Sequence, residues 1–173
     1  MDEAKVVRTE GGLVPEGAGW FVVNAAEAPW YASERFGRVC AFQGEHRCPG
    51  LGVNIHVVEP GQAACMYHAE TEPEAFLVLH GECLLVIEEE ERPLHAWDYV
   101  HCPPGVRHVF VGAGEGPCAI LMIGRRSAEH GVDYPVSEVA GKHGASVPVR
   151  TPEPRTAYAG SPPWVAAPVV WPL

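Results

Sequence analysis

At 173 residues, with 47% apolar and 20% charged residues, the chain has the length and composition of one ordinary globular domain. Its 12 Lys+Arg against 22 Asp+Glu give a formal charge of -10, and an acidic surface repels phosphate backbones and anionic lipid, so nucleic acid is not an expected partner. No apolar run approaches the ~20 residues of a membrane span, and residues 1–5 lack a basic-then-apolar pattern, so the expectation is a single domain over 1–173, cytoplasmic, without a membrane partner.

Residues 1–51 read as an N-terminal arm with short strands at 20–23 and 38–42, joined by a connection at 28–31. From 52 to 124 the strand signal is dense. A run at 53–58 stops at Glu59-Pro60-Gly61, a turn signature. A strand at 63–69 follows, then one at 75–79 ending at His80-Gly81, and one at 83–87. The four glutamates 88–91 read as a solvated hairpin tip before Arg92-Pro93-Leu94. Strands at 99–102, 108–111 and 117–123 complete the set. Many short strands with Gly/Pro turns predict an all-β sandwich or barrel.

Residues 125–173 lose this rhythm and form a C-terminal arm. Ser137 is placed to cap a short helix through about His143. The tail holds seven prolines from 148 onward and two tryptophans, Trp164 and Trp171, which are costly to leave in water. A docked arm is therefore expected, on this barrel or on a second subunit. The cysteines (Cys40, Cys48, Cys65, Cys83, Cys102, Cys118) form no C-x-x-C pair, and four lie in apolar strand-like runs, which reads as reduced core thiols.

The chemistry concentrates in two short segments, His68-x-Glu70-x-x-x-Glu74 and Pro103-Pro104-Gly105-Val106-Arg107-His108. Alternate residues of a strand share a face, so His68 and Glu70 should point together with Met66, and Phe76 and Val78 should line the same side after Glu74. An ionised carboxylate in an apolar barrel is costly unless a cation accompanies it. Imidazole and carboxylate together suit Fe, Mn, Ni or Zn, and two His plus one Glu leave positions open for water or substrate. Asn54 and His56 share a face of the preceding strand and are further candidates for the pocket lining, as is Phe110.

These residues resemble the cupin superfamily. Its first motif, G-x5-H-x-H-x3,4-E-x6-G, is matched by Glu74-x6-Gly81 with His68 six residues before the glutamate. Its second, G-x5-P-x-G-x2-H-x3-N, is matched by Pro103-x-Gly105-x2-His108. The resemblance covers about 52–124 and is closest to small single-domain bacterial cupins of unassigned activity. It departs where Glu70 replaces a histidine, Gly61 lies one residue too far from His68, Trp97 replaces a glycine, and Gly112 replaces an asparagine. The Trp97 change predicts a reshaped hairpin at 95–98.

The resemblance implies a jelly-roll barrel; a homodimer is expected because the arm with Trp164 and Trp171 and outward apolar residues such as Leu77 and Leu79 need a cover, and the resemblance implies the same. It also implies one divalent metal per chain on His68, Glu74 and His108, with Glu70 as a less certain fourth ligand. It implies metal-dependent chemistry on a small molecule, of dioxygenase, isomerase, epimerase or decarboxylase class; a non-catalytic ligand-binding or regulatory cupin is the alternative. The ligand spacing is similar to that of 3-hydroxyanthranilate dioxygenases, but the positions of their substrate-clamping arginines are Ala64 and Gly112 here, which argues against that activity.

Overall fold

The computed structural model describes residues 1–44 and 48–169. A hairpin of β1 (Lys5–Thr9) and β2 (Gly12–Glu16) precedes β3 (Trp30–Ser33), β4 (Gly37–Cys40) and β5 (Leu51–Val58). Then come β6 (Ala69–Glu70), β7 (Glu74–His80), β8 (Glu82–Ile87), β9 (Glu90–His95), β10 (Tyr99–Cys102), β11 (His108–Ala113) and β12 (Cys118–Arg125). The C-terminal part adds β13 (Val132–Asp133), the short helices α1 (Glu138–Gly141) and α2 (Pro154–Ala157), and β14 (Val165–Ala166).

Strands β10-β7-β12-β5-β4-β3-β14 form a seven-stranded sheet that packs against a three-stranded sheet, β11-β8-β9, as in a jelly roll. Between them lie Val58, Phe76, Val78, Leu85, Phe110 and Ile120, all buried. Each such side chain contributes ~1.5–3 kcal/mol by leaving water. The alternation of β7 explains its two faces. Phe76 and Val78 enter this core, whereas Leu79 packs outward with Trp30, Ile55 and Val57 beneath the N-terminal segment. The turn into β8 needs Gly81: its φ is +73°, and a Cβ there would stand 2.4 Å from the Pro117 carbonyl oxygen.

Several expected elements differ. Trp20 makes only an isolated bridge to Glu3, so 20–23 is not a strand. The connection expected at 28–31 contains the start of β3, because Trp30 is fully buried and its Nε1 donates to the Ala25 carbonyl at 2.8 Å. Residues 63–68 are not a regular strand; their backbone meets the three-stranded sheet at isolated bridges of Ala63 and His68 and at an Ala64 N–H bond to the Phe110 carbonyl, and Tyr67 packs against Val86 and Val109. Only Glu88 and Glu89 form the hairpin tip, with φ of +47° and +66°, while Glu90 and Glu91 already belong to β9. That tip is exposed to solvent, as expected, and is also tied at two points. Glu88 pairs with Arg107, and the Ser137 hydroxyl donates to Glu89 Oε2 at 3.0 Å.

The hairpin expected to be reshaped at Trp97 keeps its tight turn. Trp97 has φ +77°, the left-handed conformation a glycine would take, and its N–H donates to the Val78 carbonyl at 2.7 Å. A non-glycine residue costs about 1–2 kcal/mol there.

The C-terminal arm docks on its own chain. Ser137 caps α1 by accepting from the Ala140 N–H at 2.9 Å. Strand β14 adds to the edge of β3, and the Trp164 ring lies 5.9 Å from that of His56. Trp171 lies outside the described residues. All six cysteines are free thiols. Among the described residues no helix is long and apolar enough to cross a membrane.

Candidate metal centre

His68 and His108 are 40 positions apart but directly opposite in space. The N–H of His108 donates to the His68 carbonyl at 2.8 Å, and the N–H of His68 returns a bond to the His108 carbonyl at 3.2 Å. Residues paired in this way project their side chains to the same face, and the two rings stand 5.0 Å apart. The turn that delivers His108 is fixed by Gly105, whose φ is +85° and whose N–H donates to the Glu70 carbonyl at 2.8 Å. Glu74 arrives from the other sheet. It opens β7 between Cys102 of β10 and Gly124 of β12.

The structure brings His68, Glu74 and His108 together, with one ligating atom from each within 4.8 Å of the others. Backbone carbonyls set the tautomers. His68 Nδ1 donates to the Met66 oxygen at 2.8 Å and His108 Nδ1 to the Val106 oxygen at 3.1 Å, so each Nε2 keeps its lone pair. His108 Nε2 lies 3.4 Å from Glu74 Oε2. Burial holds His108 below the usual imidazole range and lowers His68 to about 4, helped by the neighbouring His108. Burial, reinforced by Glu70, pushes Glu74 up to about 8. Without a cation the His108–Glu74 contact is therefore a neutral pair with its proton on the carboxyl. Two neutral imidazole nitrogens and one carboxyl starved of positive charge form a donor set that suits a divalent ion.

Glu70 stands outside this triangle. Its Oε1 is 3.8 Å from His68 Nε2 and its Oε2 is 3.6 Å from His130 Nδ1, at the rim. Burial raises its pKa, against the attraction of His130.

The centre lies in a cavity of about 510 Å³, within the range of small-molecule sites. Phe76, Phe110 and Asn54 line it; Met66, Val78 and His56 do not. Met66 turns away because 63–68 lacks strand periodicity, and it packs with Phe36, Tyr134 and Val147. Val78 lies deeper in the core than Phe76. His56 is buried with Nε2 2.6 Å from the Phe36 carbonyl oxygen.

Much of the wall comes from residues that sequence reasoning passed over: Cys65, Arg125, Arg126, Ser127, His130, Tyr134 and Tyr158. The Tyr134 ring lies 5.8 Å from His68. The Tyr158 ring stands edge-on to that of Tyr134 at 5.7 Å, and its hydroxyl accepts from the Met66 N–H at 3.3 Å. Burial raises both phenols, Tyr134 to about 12, so both are neutral donors near neutrality. One signal was available for the arginines. In an antiparallel ladder the end of β12 lies beside the start of β7, which puts Arg125 and Arg126 next to Glu74.

Residues 54–124, less than half of the chain, match the cupin domain family model. It is similar to a sugar phosphate isomerase of the cupin superfamily from Silicibacter pomeroyi, with 25% identity and a TM-score of 0.51 over 56% of this chain and 63% of that one. The match thus spans less than two thirds of that protein. A candidate sugar phosphate isomerase from Acidithiobacillus ferrooxidans is 23% identical over 71% and 69% of the two chains, TM-score 0.48. A polyketide cyclase from Streptomyces resistomycificus is 15% identical over 54% and 67%, TM-score 0.47. No protein with a curated description matches the chain.

Proposed function

We propose that this chain is a divalent-metal-dependent enzyme acting on a small molecule, of isomerase, dioxygenase or decarboxylase class. One observation carries the reading: two imidazole nitrogens and a carboxyl converge at the base of an open cavity of about 510 Å³. The ion, one of Fe, Mn, Ni or Zn per chain, would be held by His68, Glu74 and His108, and when bound it supplies Lewis acidity or redox chemistry. The chain's own residues do the rest. Phe76 and Phe110 exclude water from one side. Glu70, between His68 and His130, is placed to move a proton between cavity and rim, which favours that role over direct ligation. Tyr134 is placed to donate a hydrogen bond beside His68. The isomerase class gains support from the Silicibacter pomeroyi relative.

Metal analysis of the purified protein tests this. The expectation is one equivalent of a divalent ion in the wild type and little in His108→Ala. A Glu70→Gln protein with normal metal content and altered turnover would fit the proton role; loss of metal would make Glu70 a ligand. A chain that binds small ligands at this cavity with metal bound, yet turns none over, would point to the non-catalytic alternative.

We also propose a cytoplasmic homodimer. Trp97 and Tyr99 are 74% and 65% exposed beside half-buried Leu77 on the outer face of the seven-stranded sheet, an apolar surface that favours a cover. A monomer by sedimentation at micromolar concentration would count against it.

A further inference from the structure

His68 takes its direction from a carbonyl rather than from a strand. Its Nδ1 donates to the Met66 oxygen at 2.8 Å, and residues 63–68 meet the neighbouring sheet at isolated bridges, with no continuous ladder to fix where that oxygen points. The peptide that carries the oxygen is held from its other edge. The Met66 carbonyl and the Tyr67 N–H belong to one planar group, and that N–H donates to the Ala145 carbonyl at 2.7 Å. The Met66 N–H donates to the Tyr158 hydroxyl at 3.3 Å. Both acceptors belong to the C-terminal arm, outside the barrel strands. Whatever places Ala145 and Tyr158 therefore places the imidazole.

One side chain connects these holds. Arg35 lies in the turn between β3 and β4. Its Nη2 donates to the carbonyl of Gly144, the residue before Ala145, at 2.8 Å. Its Nη1 donates to Ser161 Oγ at 3.0 Å, and the Ser161 N–H closes the turn after Tyr158 by donating to the Tyr158 carbonyl at 3.0 Å. Nη2 also lies 3.3 Å from Met66 Sδ, so the guanidinium touches residue 66 itself as well as both neighbours that grip it.

The base of this clamp is firm. Ser33 Oγ accepts from the Arg35 N–H at 3.3 Å and from the Phe36 N–H at 3.4 Å, and the Phe36 carbonyl is bound by His56 at 2.6 Å. The guanidinium lies over the Phe36 ring at 4.9 Å. Arginine suits the place because its rigid planar fork donates in several fixed directions at once, whereas a lysine ammonium is a single point on a flexible stem.

We propose that Arg35 is a positioning residue for the metal centre: from the β3–β4 turn it sets the orientation of His68 through the Met66–Tyr67 peptide. Its consequence for an ion rests on the metal reading above; its hold on the imidazole does not. Charge alone would act in the opposite sense, since removing a positive group near a dication site favours the dication. Loss of positioning weakens metal binding instead, so the two causes differ in sign.

Cobalt(II) titration of metal-free protein, with the visible spectrum recorded, compares wild type, Arg35→Met and Arg35→Lys. Arg35→Met keeps an apolar stem over Phe36 and loses the donors. It should bind cobalt about tenfold or more weakly and shift the ligand-field bands of the bound ion. Arg35→Lys should recover part of the affinity. Ser161→Ala and Met66→Leu each remove one acceptor and should give smaller losses in the same direction; they carry the test if Arg35→Met does not fold. Nitrogen-15 histidine NMR of the metal-free protein reads the orientation without an ion. The His68 Nδ1–H signal, assigned with His68→Ala, should be sharp in wild type and broadened or lost in Arg35→Met. Cobalt affinity and spectrum unmoved by Arg35→Met, or tighter binding, would overturn the inference, as would a His68 ring signal indifferent to Arg35. Wild-type protein that takes up no cobalt, with a ring signal that still depends on Arg35, would overturn the metal reading alone.

Discussion

The two walls that supply the metal-site histidines and glutamate are built differently. Glu74 begins a seven-residue strand hydrogen-bonded on both sides, and its neighbours follow strict alternation. His68 sits in a segment attached to the opposite sheet by isolated bridges, where three consecutive residues go three ways. Met66 enters the cluster around Phe36, Tyr67 the cluster around Val109, and His68 the cavity. A continuous ladder gives rigidity and a predictable face. An anchored irregular segment gives up the ladder and gains three independent directions, at the cost of needing specific contacts to hold each one.

The sharpest way to break this comparison is at the ligands. His108→Ala should remove most bound metal, by more than about tenfold in affinity, and leave a cavity in a site that is 2% exposed. His68→Ala should lose metal to a similar degree but less thermal stability, because its side chain is 12% exposed against 2% for His108 and leaves a less enclosed gap. Metal titration and melting of both variants decide this; equal stability losses would erase the distinction between the walls.

The next effect is on pH. Glu74 has a folded pKa near 8, above its unfolded value of 4.5, so the metal-free fold favours the protonated carboxyl and loses that stability as pH rises from about 4.5 through about 8. His68, lowered from 6.5 to about 4, contributes the opposite trend: its share is complete above pH 6.5 and is lost as pH falls towards 4. Metal must therefore expel a proton from Glu74 below pH 8, and affinity should rise about tenfold per pH unit between 6 and 8. Chelator competition across that interval measures it, and a flat profile would return the controlling proton to the histidines.

Smaller effects probe how the irregular wall is held. Tyr158→Phe removes the hydroxyl that receives the Met66 N–H and should cost roughly 1–2 kcal/mol in chemical denaturation. If stability is unchanged, the Tyr158 hydroxyl is not among the contacts that hold the segment. At the other extreme, Trp97→Gly relieves a left-handed tryptophan in the regular part of the fold and should raise stability by up to about 1 kcal/mol, a few degrees in Tm at this chain length. A lower Tm would mean that the exposed ring has a partner, for which the outer sheet face is the place to look.

Legibility in the sequence followed the same division. The strands from 74 to 125 other than β9, which the glutamate run concealed, announced themselves by alternation and turn residues, and with them came Glu74, Phe76, Phe110 and His108. The period-two rule failed at Met66 because 63–68 has no ladder to enforce it. It failed at His56 because a carbonyl from Phe36 and the ring of Trp164, distant in sequence, claim that side chain. At Trp97 the residue type suggested a different turn, but the hydrogen bonds of the hairpin outweighed the conformational cost. Tyr134 and Tyr158 were illegible for another reason: no local pattern marks a loop residue that becomes a wall only after the arm folds back.

That folded-back arm divides the cavity's ownership. The metal triangle lies within residues 54–124, the part that fits the cupin family model, whereas Ser127, His130, Tyr134 and Tyr158 belong to the segment beyond it. A comparison confined to the barrel therefore sees the candidate metal centre and is blind to much of the cavity wall. Two chains that share this centre can differ in what they accept, and exchanging the segment after Gly124 between such chains is a route to new ligands around the same three side chains.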